Sequence, residues 1–200
     1  MKNVIITGAS RGIGFDLLKL FNNENYNVFA LSRNISNISS SKNVNSIVTD
    51  LSSPESIGSS VEIINNKIDS VDILINNAGF LINKPFKHTT FSDFESVYKV
   101  NVFGLAELIR LIIPKLNSQS HIVNISSIGG ISGTSKFPGL SAYSSSKGAL
   151  NILTEMLNEA FPGYKAPLSS KDMAKFIFDF SLNGHNFFNG KILPVSISNP

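Results

Sequence analysis

Tyr143 and Lys147 stand four residues apart in "SAYSSSKGAL", with only serines between them. On a helix this spacing places both side chains on one face, with Cβ atoms about 6 Å apart. A phenol ionises near ~10 and is a poor acid–base catalyst at neutral pH. Lowering that value by about three units requires about 4 kcal/mol of preference for the phenolate. An ammonium about 4 Å away supplies roughly that much at an effective dielectric near 20. The pair therefore has the chemistry of a proton donor and the cation that tunes it. Tyr-x-x-x-Lys is nevertheless common on ordinary surface helices, so its meaning depends on what surrounds it.

A second constellation lies at the N-terminus. "TGASRGIG" follows the apolar run Val4–Thr7, with Gly8, Gly12 and Gly14 between that run and a helix starting near Ile13. Gly8 permits a sharp turn off a strand. Gly12 removes a side chain where a pyrophosphate approaches, and Gly14 lets helix and sheet pack closely. The helix start then offers unpaired N–H groups and the positive end of its dipole to phosphate oxygens. This is the pattern of a dinucleotide site. The second strand ends in "ALSRN", with Arg33 where an acid would bind both ribose hydroxyls, and Arg11 stands within the glycine loop. Two guanidiniums without a competing carboxylate favour a ribose 2′-phosphate, hence NADP(H) over NAD(H).

These residues need a frame. Val4–Thr7, Val28–Leu31, Ile47–Thr49, Val71–Ile75 and Ile122–Ile125 are nearly uninterrupted apolar runs, as expected of strands buried on both faces of a parallel sheet. Helical stripes alternate with them. One is Ile57, Val61, Ile64 and Ile68, with Ser53 as N-cap and Pro54 at the first position. Another is Leu105, Leu108, Ile109, Ile112 and Leu116. A third is Met173, Phe176, Ile177 and Phe180, closed by Asn183-Gly184. The order predicts a doubly wound α/β fold in a single domain spanning residues 1–200. The Ser/Asn-rich stretch Asn34–Ser46 reads as a loop or a frayed short helix. "HIVNISS" places Ser126 and Ser127 at the carboxyl edge of the sheet, and "VNVFG" puts Asn101 near a helix start.

Composition narrows the function classes. The chain has 200 residues, 42% hydrophobic and 16% charged, with formal charge +3 and no cysteine. Thiol redox chemistry and thiolate metal sites are excluded. No basic run suggests nucleic acid or membrane as a partner. His88, His121 and His185 lack acidic companions at ligand spacing, so no metal is expected. The N-terminal apolar run is too short for a secretion signal, and the expected location is the cytoplasm.

Taken together, "TGASRGIG", "DLS" at Asp50–Ser52, "NNAG" at Asn76–Gly79, "VNVFG", "ISS" ending at Ser127 and "YSSSK" at Tyr143–Lys147 resemble the short-chain dehydrogenase/reductase family of classical, Rossmann type, from the N-terminus to about Phe161. The resemblance implies a reversible carbonyl reduction or alcohol oxidation on a small molecule. Tyr143 would be the general acid, and Lys147 would tune it and hold the nicotinamide ribose. Ser127 would bond the substrate carbonyl, and Asn101 would support a water-linked proton relay to Lys147. It further implies a cofactor groove formed by Gly8, Ser10, Arg11, Gly12, Ile13, Gly14, Arg33, Asp50, Leu51, Asn77, Ala78, Gly79, Pro162 and Gly163, together with Tyr143 and Lys147. Asp50 would reach the adenine amine. A homodimer or homotetramer, joined through Leu105–Leu116 and Ser144–Phe161, is implied in the same way.

Two departures qualify the resemblance. The run from Ser127 to Tyr143 is longer than the family's usual spacing, so "ISGTSKFPGL" forms an enlarged loop beside the site. After the Tyr143 helix, "LTEMLNEAF" passes directly into "PGYKAPLSSKDMAKF". Pro162-Gly163 matches the family's turn, but no strand precedes it, and Pro167 stands where a nicotinamide-binding threonine is often found. The sheet is therefore expected to lack the family's sixth strand, with "NGKILPVSI" as a displaced last strand. A non-catalytic dinucleotide-binding or regulatory protein on the same fold is the alternative these departures favour.

Overall fold

The structure is a computed structural model that describes residues 1–38 and 41–157. The expected turn at Pro162-Gly163, the Met173–Phe180 helix and the last strand lie outside the described residues. So does the C-terminal part of the single-domain expectation. Residues Met1–Glu155 form one compact unit.

Five strands, β1 (Asn3–Thr7), β2 (Asn27–Ser32), β3 (Val44–Val48), β4 (Ile73–Asn76) and β5 (His121–Asn124), form one sheet in the order β3-β2-β1-β4-β5. Every pairing is parallel, with Val4 opposite Val28 on one side and Ile73 on the other. β1 is central, and Val4, Ile5 and Ile6 are fully buried. Helices cover both faces of it, which is why its sequence shows no polar alternation. Val4 and Ile6 share one cluster with Leu18 of α1 (Gly12–Asn23), Val28, Ala30 and Ile75. α2 (Pro54–Asn65) and α4 (Leu105–Ile112) lie against each other and bury Ile57, Val61 and Ile64 on one side and Leu105, Leu108, Ile109 and Ile112 on the other. Burying one such side chain fully contributes roughly 1.5–3 kcal/mol before ordering costs.

Local signals match the caps. Ser53 accepts from the Ser56 N–H at 3.1 Å and Pro54 opens α2, as its sequence position predicts. Thr90 and Asp93 form a capping box on α3 (Phe91–Tyr98), and Lys84 adds an ion pair to Asp93 at 2.7 Å. That set of donors holds Asp93 down to about 2.

Two expectations are corrected. The stretch Asn34–Ser46 is not loop to its end, because β3 begins at Val44. A ladder of side-chain amides draws it into the sheet: Asn27 donates to Asn3, Asn45 donates to Asn27, each at 2.9 Å, and Lys67 donates to Asn45 at 2.7 Å. Asn101 is also not near a helix start. It sits inside a π-helical turn, Lys99–Gly104, that joins α3 to α4 without a break. Gly104 allows this wide turn to lie on the Leu51 carbonyl, which any Cβ there would strike.

The sheet order reverses direction at β1 and β4, and their carboxyl ends part to leave a crevice. α5 (Ser141–Met156), which carries Tyr143 and Lys147, runs beside β5. Among the described residues β5 pairs only with β4.

Candidate active site and cofactor cleft

The glycine loop is held from beneath. Gly8 has φ +67° and its N–H donates to the Leu31 carbonyl at 2.8 Å, turning the chain sharply off β1. The Thr7 hydroxyl accepts from the N–H groups of Asn77 and Ala78 at 3.1 and 3.0 Å. Asn77 returns its side-chain amide to the carbonyls of Thr7 and Gly8 at 3.0 and 3.3 Å. Asn77 thus fastens the "NNAG" segment to the glycine turn.

The three glycines divide their work. A Cβ on Gly8 would come within 2.9 Å of the Ala78 Cα, and one on Gly14 within 2.5 Å of the Asn77 amide nitrogen. Both are filled by the protein itself. A Cβ on Gly12, at φ +57°, would meet nothing within 4 Å, because Gly12 faces the cleft. The α1 N-cap is Arg11, which makes no side-chain cap hydrogen bond, and no acid occupies the first turn. That leaves the helix start to an anion from outside. The residues present therefore fit a dinucleotide pyrophosphate.

The cleft has a volume of about 640 Å³ and is lined by eleven of the sixteen residues expected to hold the cofactor, Tyr143 and Lys147 not among them. Gly8, Ser10, Arg11, Gly12 and Ile13 line one wall, Arg33, Asp50 and Leu51 the outer end, and Asn77, Ala78 and Gly79 the other wall. Gly14 lies behind the wall, buried. β2 ends at Ser32, whose hydroxyl donates to Ser10 at 2.8 Å, and Arg11 and Arg33 are exposed beyond it. Asp50 accepts from the N–H and the hydroxyl of Ser52, at 2.9 and 2.7 Å. The backbone bond from Ser52 does most to hold its carboxyl below the ordinary range. The Ser52 hydroxyl and the Arg33 charge add to that, against an opposing push from burial. Pro162 and Gly163 lie outside the described residues.

Of the catalytic candidates, Lys147 and Asn101 reach the cleft's inner end, beside its lining residue Gly79. Lys147 is 3% exposed. Its ammonium donates to the Ile125 carbonyl at 2.7 Å and lies 5.9 Å from the centre of the Tyr143 ring. Burial alone holds it below its usual value. A Cβ on Gly79 would be 3.8 Å from both the Lys147 Nζ and the Asn101 Oδ1, so these three residues share one spot. Asn101 is fully buried and its side chain is committed. Its Oδ1 accepts from the Phe80 N–H at 2.8 Å, and its Nδ2 donates to the Phe80 carbonyl and the Ser146 hydroxyl, each at 2.9 Å. Ser127 caps the short turn Ile128–Gly130, accepting from the Gly129 N–H at 3.2 Å. That turn lies directly on α5, since a Cβ on Gly130 would come within 2.6 Å of the Lys147 carbonyl carbon. The strand end bearing Ser127 is thereby fixed against the helix bearing Tyr143.

Nothing in the sequence sets Ser146 apart from Ser144 and Ser145, yet it is fully buried and bonded to Asn101. Its position, one residue before Lys147 and on the Asn101 side, carries no compositional signal.

Known proteins resemble this chain over most of its described length. The family model for short chain dehydrogenase matches residues 2–165. The ketoacyl reductase HetN of Nostoc sp. is 29% identical over 172 residues, covering 81% of this chain and 59% of that protein. A short-chain dehydrogenase from Streptomyces avermitilis superposes with TM-score 0.73 at 30% identity, over 80% of this chain and 60% of the other. A 4-hydroxyisoleucine dehydrogenase solved with NADH gives TM-score 0.72 at 30% identity, over 80% and 68%. The chain thus spans about three fifths of the length of the first two relatives.

Proposed function

The chain belongs to the short-chain dehydrogenase family, and from that premise we propose that it is an NADP(H)-dependent reductase of a small carbonyl compound, with Tyr143 as general acid. The observation that carries this reading is the meeting of Lys147 and Asn101 beside Gly79, with the Lys147 ammonium 5.9 Å from the Tyr143 ring centre, at one end of a cleft that also holds two exposed arginines.

The nicotinamide, when bound, supplies the hydride. The chain's own residues do the rest. Gly12 and the start of α1 would hold the pyrophosphate, and Arg11 and Arg33 would hold the 2′-phosphate. Ser127 donates a hydrogen bond to the substrate carbonyl oxygen, and Tyr143 delivers its phenolic proton to that oxygen. The Lys147 ammonium favours the phenolate left behind and passes a proton to it, and Asn101 supports the return of a proton from solvent to Lys147. A positioned proton donor of this kind contributes about 10²–10⁴ in rate. Leu81, Ile128, Ile131 and Phe137, on the loops after β4 and β5, are all exposed and apolar, which favours a ketone with an apolar arm over a sugar. Self-association through Leu105–Leu116 and Ser144–Phe161 is part of the same reading, and Ile113 and Ile152 are exposed there.

The test is NADPH oxidation by the purified protein with a panel of apolar ketones, acyl thioesters and sugars. Ketone-dependent loss of NADPH absorbance supports the reading. NADPH binding without turnover on any member of the panel would favour the non-catalytic alternative.

A further inference from the structure

Ser146 has no part in the chemistry above, yet its hydroxyl is a junction. Ser146 and Asn101 are both fully buried. The Ser146 Oγ accepts from the Asn101 Nδ2 at 2.9 Å and donates to the Tyr143 carbonyl at 2.7 Å. Asn101 in turn clasps both backbone groups of Phe80. A continuous line of hydrogen bonds therefore runs from the residue after Gly79, through the π turn, to the backbone of Tyr143.

A serine in a helix commonly bonds back to a carbonyl one turn earlier, and that bond alone means little. The second bond is different, because it reaches a buried amide on another element. Both N–H groups of the Asn101 amide are used, one on Phe80 and one on Ser146. Removing the Ser146 hydroxyl leaves one of them buried and without an acceptor. A purely helical role makes the opposite forecast, since alanine is the better helix former at an interior position.

We propose that Ser146 is a positioning residue whose hydroxyl sets the spacing between the cofactor-side segment Asn77–Phe80 and the face of α5 that bears Tyr143 and Lys147. The consequence for catalysis rests on the reading of that pair given above. The spacing itself does not.

The experiment compares wild type, Ser146→Ala and Ser146→Thr. It records hydrogen exchange of the Phe80 amide by NMR in the cofactor-free protein, then kcat and KM with NADPH and the best ketone. Ser146→Ala should speed Phe80 exchange by about tenfold or more while leaving the Leu74 amide of β4 unchanged. It should lower kcat by about tenfold or more with KM for NADPH within about threefold. Ser146→Thr, which restores the hydroxyl, should recover both. Asn101→Ala combined with Ser146→Ala should be no worse than Asn101→Ala alone. Should Ser146→Ala fail to fold, Ser146→Cys keeps the volume with a weak donor and gives the same readouts. Wild-type exchange at Phe80 in the variant, or wild-type kcat in an active enzyme, would overturn the proposal. A wild type that binds NADPH but reduces no ketone would defeat the catalytic reading alone, and Phe80 exchange would still decide the strut.

Discussion

At the outer end of the cleft Arg11 and Arg33 stand exposed, while at the inner end Asn101, Ser146 and Lys147 are at most 3% exposed. The outer end meets its ligand with long side chains on a backbone frame, whereas the inner end is fixed before any ligand arrives. On the proposed function the difference follows from what each end would have to do. Recognising a phosphate needs charge and a fork of donors, and long side chains can close on it after binding. Proton delivery needs a reacting group held to within a fraction of an ångström, which only packed and bonded groups provide. The inner end should therefore lose rate when altered, and the outer end should lose affinity.

The largest effect should come from Tyr143→Phe. It should cut ketone reduction by about 10²–10⁴ while NADPH affinity, read by fluorescence titration, stays within a few-fold. Equal losses in both would erase the distinction between the ends. Next is Arg33→Ala, expected to weaken NADPH by about tenfold to a hundredfold with little change for NADH; isothermal titration with both cofactors checks it. The frame beneath the outer end is probed by Gly14→Ala, whose methyl would press on Asn77 and the Gly8 carbonyl. A loss of about 1–3 kcal/mol in denaturant unfolding is expected.

The smallest effect is a pH slope. Burial holds the folded-state Lys147 below the 10.5 of an ordinary lysine. Between the folded value and 10.5 the unfolded chain binds the extra proton, so stability rises with pH across that window and levels off above it. Melting temperatures of wild type and Lys147→Met on the alkaline side should diverge accordingly, the variant lacking that contribution.

How much of this was legible in the sequence varies from residue to residue. The buried strands were, because β1 and β2 are covered on both faces and read as apolar runs. Ser53 and Pro54 marked the start of α2 through cap chemistry that needs no tertiary context. β3 was placed too late because "VNSIV" is half-exposed and owes its first residues to the Asn27–Asn45 amide bond. The π turn at Asn101 escaped because one widened turn between two helices leaves the apolar periodicity nearly intact. Ser146 escaped because burial of a hydroxyl is set by a partner forty-five positions away, which no local pattern encodes.

The central claim is that one cleft holds both ends of a phosphorylated nicotinamide dinucleotide. A titration of the purified protein with NADPH and NADH, following nicotinamide emission, tests it most directly. Enhanced emission with NADPH, and an affinity about tenfold or more above that for NADH, is the expected result. Binding without a nicotinamide signal, or equal affinity for the two cofactors, would contradict it.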